Sequence, residues 1–163
     1  MKRLILACWL CLCCACAWAE RPNAALRLQV NAFVDAWHDD AAHARMAYFD
    51  KIAQDGVYIG TDKSELWQRE QFKEWARKHF ERNAAWTFKT LRRNVYASAD
   101  KYIVWFDELL DTQMGVCQAS GVIHRTPTGF EIVHYQLSIA VPNGVAAEVS
   151  KTIKAFEATA GTR

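Results

Sequence analysis

Residues 103–141 read IVWFDELLDTQMGVCQASGVIHRTPTGFEIVHYQLSIAV. Apolar and polar residues alternate through most of this stretch, and it is broken at Asp111–Met114 and at Thr126-Pro127-Thr128-Gly129. Alternation with period two is the pattern of half-buried strands. Pro followed by Gly suits a type I turn with a bulge, the usual three-residue hairpin loop. With the preceding run 86–97, the segments 101–111, 114–125 and 130–141 predict four strands joined by tight turns. Such a series is an antiparallel meander.

The chain before the meander has a helical period. Leu26, Val30, Phe33 and Trp37 form one apolar stripe after Pro22, and a shorter helical piece over 43–53 carries Met46 and Phe49. Gly56-Val57-Tyr58-Ile59-Gly60 reads as a brief strand, Thr61–Trp67 as a loop, and 69–82 as a third helix striped by Phe72, Trp75, Ala76, His79 and Phe80. After the meander, Pro142 stops the last strand. Asn143 is placed to cap a final helix striped by Val145, Val149, Ile153 and Phe156. Helices followed by a meander predict an α+β domain with helices on one sheet face.

The first residues carry an address. Lys2 and Arg3 precede an apolar run containing CWLCLCCACAWAE, residues 8–20, which ends in Ala17-Trp18-Ala19. A basic start, a short apolar core and a small-x-small site describe a secretory signal peptide over residues 1–19. The run is too short to span a bilayer. Its five cysteines have no histidine nearby and read as small hydrophobes filling the apolar core of the signal. Cleavage at Ala19-Glu20 predicts a periplasmic or secreted protein; Leu12 lies one residue too early for a lipid anchor at Cys16, so lipidation is the lesser alternative. Lys2 and Arg3 leave with the signal, so 18 basic residues face 18 acidic ones and the net charge falls from +2 to 0. A neutral chain with no basic cluster argues against nucleic-acid binding. Cys117 then stands alone and reads as a buried small hydrophobe.

Several stretches together resemble one family: Tyr58-Ile59-Gly60-Thr61-Asp62, Glu65-Leu66-Trp67, Val104-Trp105-Phe106-Asp107-Glu108-Leu109, Met114-Gly115, Gly121-Val122, and Ile132 to Ser138 with Val141-Pro142-Asn143. They are similar to the SnoaL-like group of the nuclear transport factor 2-like superfamily. The resemblance implies a cone of N-terminal helices packed on a curved antiparallel sheet over residues 20–142, with a C-terminal helix and tail, 143–163, outside it. It also implies a ligand pocket inside the cone. Relatives include steroid isomerases, polyketide cyclases, dehydratases, an epoxide hydrolase and non-catalytic association domains, so chemistry must be argued from the site.

Three constellations offer that chemistry. On the strand 132–138, alternation places His134, Gln136 and Ser138 together, and neighbouring strands add Trp105, Asp107, Gln118 and Ser120. Facing the cone, Asp107 or His134 would be placed to move a proton. Many relatives carry histidine at the position of Gln136 and arginine near Gln118, and this chain has neither. The opposite face, with Val104, Phe106, Ala119, Ile123, Val133 and Leu137, makes the better core and puts the polar row outside, although one bulge reverses a strand's parity. The second constellation is Tyr58, Asp62, Glu65 and Trp67. A carboxylate there would serve as a base if Trp67 and Trp75 raised its pKa; otherwise Asp62 organises a turn and Glu65 faces solvent. Trp67, Trp75 and Phe72 would suit a flat apolar ligand. The third, His38 to His43, has i, i+5 spacing and misses the one-face arrangement of a zinc helix, so it reads as a polar helix end. No metal or cofactor is expected. The favoured expectation is an exported, dimeric, non-catalytic binder of a small apolar molecule. The alternative is an acid–base isomerase, cyclase or dehydratase using Asp62, Asp107 or His134.

Overall fold

A computed structural model describes residues 22–81 and 86–160. The proposed signal, with Cys16 and the Ala19-Glu20 site, lies outside the described residues. Helix α1 spans Ala24–Ala42, with the Asn23 side chain accepting from the Leu26 N–H at 2.8 Å as its N-cap. Its stripe is buried at Leu26, Val30, Val34, Trp37 and Ala41. The second helical piece is shorter than the sequence suggests: α2 is a single turn, Ala47–Asp50, with Phe49 buried and Met46 exposed. The residues after it pair into β1, Ile52–Ile59, which starts well before Gly56. β2, Leu66–Gln68, leads into α3, Arg69–Glu81.

The meander follows the expected order: β3 Phe88–Ala97, β4 Ile103–Thr112, β5 Gly115–Thr126 and β6 Gly129–Ile139. The sheet order is β2-β1-β6-β5-β4-β3. All neighbours are antiparallel except β1 with β6, so the sheet is mixed where antiparallel pairing was expected. A parallel neighbour needs a long crossover, and the whole segment from β2 to β5 supplies it. A 3₁₀ turn, Asn143–Val145, then opens α4, Ala146–Ala160; Asn143 is its first residue and makes no side-chain cap.

Two details of register fix which face is which. A β4–β5 hairpin closed by Asp111 and Met114 would set Asp107 opposite Gln118; it closes at Thr112 and Gly115, so Asp107 opposes Ser120. That is a two-residue displacement, and it leaves every side chain on its expected face. The second is a bulge in β6: Val122 opposes His134 while Ile123 opposes Ile132, leaving Val133 as the extra residue. Ile132, Tyr135 and Leu137 all reach the core as a result, although they do not share one alternation, and Val133 is only half-buried.

The inner face packs on α1 and α3 through Val104, Phe106, Leu110, Cys117, Ala119 and Ile123. Trp37 lies at the centre, fully buried, stacked on Tyr48 at 4.9 Å and edge-on to Tyr135 at 4.7 Å. Its indole Nε1 donates to the Tyr48 carbonyl at 3.0 Å, as a buried indole requires. Gly121 makes this packing possible: a Cβ there would fall 2.5 Å from the Phe106 ring. α4 lies apart from the core, and Ile153 and Phe156 of its apolar stripe are 52% and 72% exposed.

Candidate functional site

Between the sheet and α3 lies a cavity of about 170 Å³ that opens to solvent. β1 and β2 contribute Tyr58 and Trp67, α3 contributes Phe72 and Trp75, and β6 contributes Leu137. Trp86 and Phe88, at the start of β3, close one side. The β4–β5 turn lends Gln113 and Met114, and the loop after β1 lends Gly60, Thr61 and Glu65. The aromatic rings support one another. Tyr58 stacks on Phe72 at 4.1 Å, Phe72 on Trp67 at 5.3 Å, and Trp67 meets Trp75 at 4.7 Å. His79 borders this wall half-buried, 5.0 Å from Trp75. Burial pushes the Tyr58 phenol well up, so it is a neutral hydroxyl at any ordinary pH.

Four expected ligand contacts therefore line the cavity: Tyr58, Trp67, Phe72 and Trp75. The others belong to the outer sheet face. Asp107, Gln118, Ser120, Gln136 and Ser138 gather around a shallow depression there. Asp107 accepts a hydrogen bond from Asn94 Nδ2 at 2.8 Å. His134 opposes Val122 on the same face, and Trp105 stacks on Tyr96 at 6.0 Å. None of the expected proton-moving residues reaches the cone. Asp62 organises its turn: Oδ1 accepts from the Ser64 N–H at 2.8 Å and from Ser64 Oγ at 2.5 Å, and these bonds hold its pKa below the usual aspartate value. Glu65 differs from the solvent-facing residue expected of it, because it stands half-buried on the cavity wall.

A second polar group is buried deeper, in the core. Glu108 is 1% exposed. Its Oε1 lies 2.8 Å from His38 Nε2 and accepts from Tyr135 OH at 3.0 Å, while Oε2 accepts from Arg93 Nε at 2.8 Å. Arg93 also donates to Asp35 Oδ1 at 2.7 Å. Burial raises the carboxyl pKa, but the hydrogen bonds and charges of His38 and Arg93 outweigh it and leave Glu108 below the ordinary glutamate value. His38 is thus a core residue, not part of a polar helix end. Its neighbours behave as a helix end should: Asp40 pairs with Arg45 and Lys51, and His43 caps the last turn through the Asp39 carbonyl. Among the described residues no group of three or more histidine, cysteine or acidic side chains is arranged to hold a metal ion.

A signal for Glu108 is present in the sequence. Val104, Phe106, Glu108 and Leu110 share one strand face, and a charge in an apolar row must be paired when buried. Its partners His38, Arg93 and Tyr135 are distant in sequence, and no spacing announces them. Trp86, Phe88, Gln113, Met114 and Leu137 were equally unmarked as cavity residues.

Residues 30–142 match the SnoaL-like domain family. Among the curated proteins, none matches the chain. Solved structures with the same fold include an NTF2-like protein with a cystatin-like fold from Novosphingobium aromaticivorans. It is 14% identical, with 74% of this chain and 84% of that one covered and a TM-score of 0.58. A putative calcium/calmodulin dependent protein kinase II association domain from Xanthomonas campestris is 20% identical, with coverage of 70% and 86% and a TM-score of 0.53. A Catenulispora acidiphila protein in complex with S-DNPA is 18% identical, with coverage of 71% and 93% and a TM-score of 0.56.

Proposed function

This chain belongs to the SnoaL-like domain family, and from that premise we propose that it is an exported, dimeric protein whose cone cavity binds a small, largely apolar molecule without transforming it. The observation that carries the reading is the composition of the wall: six aromatic side chains around about 170 Å³, with Asp62, Asp107 and His134 all elsewhere. That volume suits a molecule of about ten non-hydrogen atoms, and stacked indole and phenyl faces suit a flat one. Export rests on residues 1–19, and dimerisation on the exposed stripe of α4 together with the open outer sheet face.

Native mass spectrometry of protein recovered from the cell envelope tests all three parts. The expected result is a chain beginning at Glu20, a dimeric mass, and a retained or titratable small apolar ligand. A chain retaining Met1 removes export, and a monomeric mass at micromolar concentration removes the dimer. A cavity that binds no ring-sized probe removes the ligand.

A second reading has one observation in its favour. Glu65 stands on the wall beside Trp67, where a general base for an isomerase or dehydratase would be placed. Turnover of a candidate ligand that disappears in Glu65→Gln would support it over binding alone.

A further inference from the structure

We propose that the cone cavity selects an organic cation: an ammonium group carried on a small apolar ring. The inference rests on the ligand-binding reading above and adds the charge of the ligand. Among the described residues, Glu65 is the one acidic side chain lining the cavity and no lysine or arginine lines it; His79 borders the wall behind Trp75. Its carboxylate is not neutralised elsewhere, because among the described residues it forms no ion pair. Its side chain accepts only the Asp62 N–H, at 3.1 Å to Oε2. A half-buried carboxylate on an apolar wall, with no ion-pair partner among the described residues, leaves the cavity biased toward a positive guest.

The placement of that carboxylate is built into the loop. Gly60 N–H donates to the Glu65 carbonyl at 2.9 Å, and Glu65 N–H donates to the Asp62 carbonyl at 2.9 Å. A Cβ at position 60 would fall 2.2 Å from Glu65 Oε2. Glycine at 60 is therefore what allows the carboxylate to lie over the loop and against the cavity. The wall also holds three indoles. Trp67 lies 4.7 Å from Trp75, and Trp75 lies 6.1 Å from Trp86. Indole faces carry the negative part of the ring quadrupole and attract ammonium groups, tryptophan most strongly. Tyr58, held neutral, adds no competing charge. An anionic guest meets the carboxylate and the ring faces together.

The test is a titration of the full chain with three probes of matched size, followed by ligand-observed NMR. They are trimethylphenylammonium, its neutral isostere tert-butylbenzene, and benzenesulfonate. The expected result is that the cation binds about tenfold more tightly than the neutral isostere and the anion more weakly than either. Glu65→Gln is expected to weaken the cation several-fold and leave the neutral probe unchanged, with Trp75→Leu weakening the cation more than the neutral probe. Equal affinities for cation and isostere in the wild-type chain would overturn the cation preference while leaving the ligand-binding reading in place. A preference that survives Glu65→Gln and Trp75→Leu would overturn the assignment of these residues. If no probe binds the wild-type chain, both readings fail.

Discussion

Asp107 and Glu108 are consecutive on β4 and carry the same charge, yet they occupy opposite faces of one sheet. Asp107 looks outward, half-exposed, and holds a single hydrogen bond from Asn94. Glu108 looks inward, is sealed beneath α1, and has three donors or charges arranged around it. The outer face is polar but shallow, with its groups still wet; the inner face is apolar except where it pays for one carboxylate with a full set of partners. Polar residues gathered on a sheet therefore say little about a site until it is known which side is dry. The dry side here is the aromatic one.

The largest expected effect comes from removing the inner carboxylate. Glu108→Ala takes away the buried partner shared by His38, Tyr135 and Arg93, whose side chain is 4% exposed and keeps Asp35 as its remaining charged partner, and should cost about 3–5 kcal/mol of stability. Asp107→Ala should change stability by no more than about 0.5 kcal/mol. Urea denaturation of both variants reads the difference directly, and comparable losses would break the contrast between the faces.

A smaller effect is expected from packing alone. Gly121→Ala brings a methyl against the inner Phe106 ring and should destabilise by about 1–3 kcal/mol. Gln118→Ala, three residues away on the outer face, should be close to neutral by the same measurement. A neutral Gly121→Ala would mean that the Phe106 ring has room to move.

The smallest effect concerns pH. The folded-state pKa of Glu108 is lowered, so its ionised form contributes stability that is fully present above the unfolded value, about 4.3. That contribution is lost as pH falls through the folded value. The acid limb of the stability profile should therefore be steeper in the wild-type chain than in Glu108→Gln. Identical limbs would show that other carboxylates govern acid unfolding.

Much of this architecture was legible in the chain. Period-two alternation and the turn residues placed β3 to β6, and the stripe from Leu26 to Trp37 placed α1, because these signals are local and repeat. The α+β order followed from them. Half of the expected ligand contacts, Tyr58, Trp67, Phe72 and Trp75, line the cavity because β1, β2 and α3 lie close together along the chain. Trp105, Gln118, Gln136 and Ser138 went to the outer side, since the sequence shows that residues share a face but not which way that face points.

The sequence by itself determined α1, α3, the strands β3 to β6, their alternating faces and the four wall residues Tyr58, Trp67, Phe72 and Trp75, because each depends on neighbours within a few residues. Only the tertiary structure decided the parallel pairing of β1 with β6, the bulge at Val133, the inward burial of Glu108 with His38, Arg93 and Tyr135, and the arrival of Glu65 at the cavity. Each of these depends on contacts between distant segments, where the saving from satisfying a buried group or filling a void outweighs any local preference.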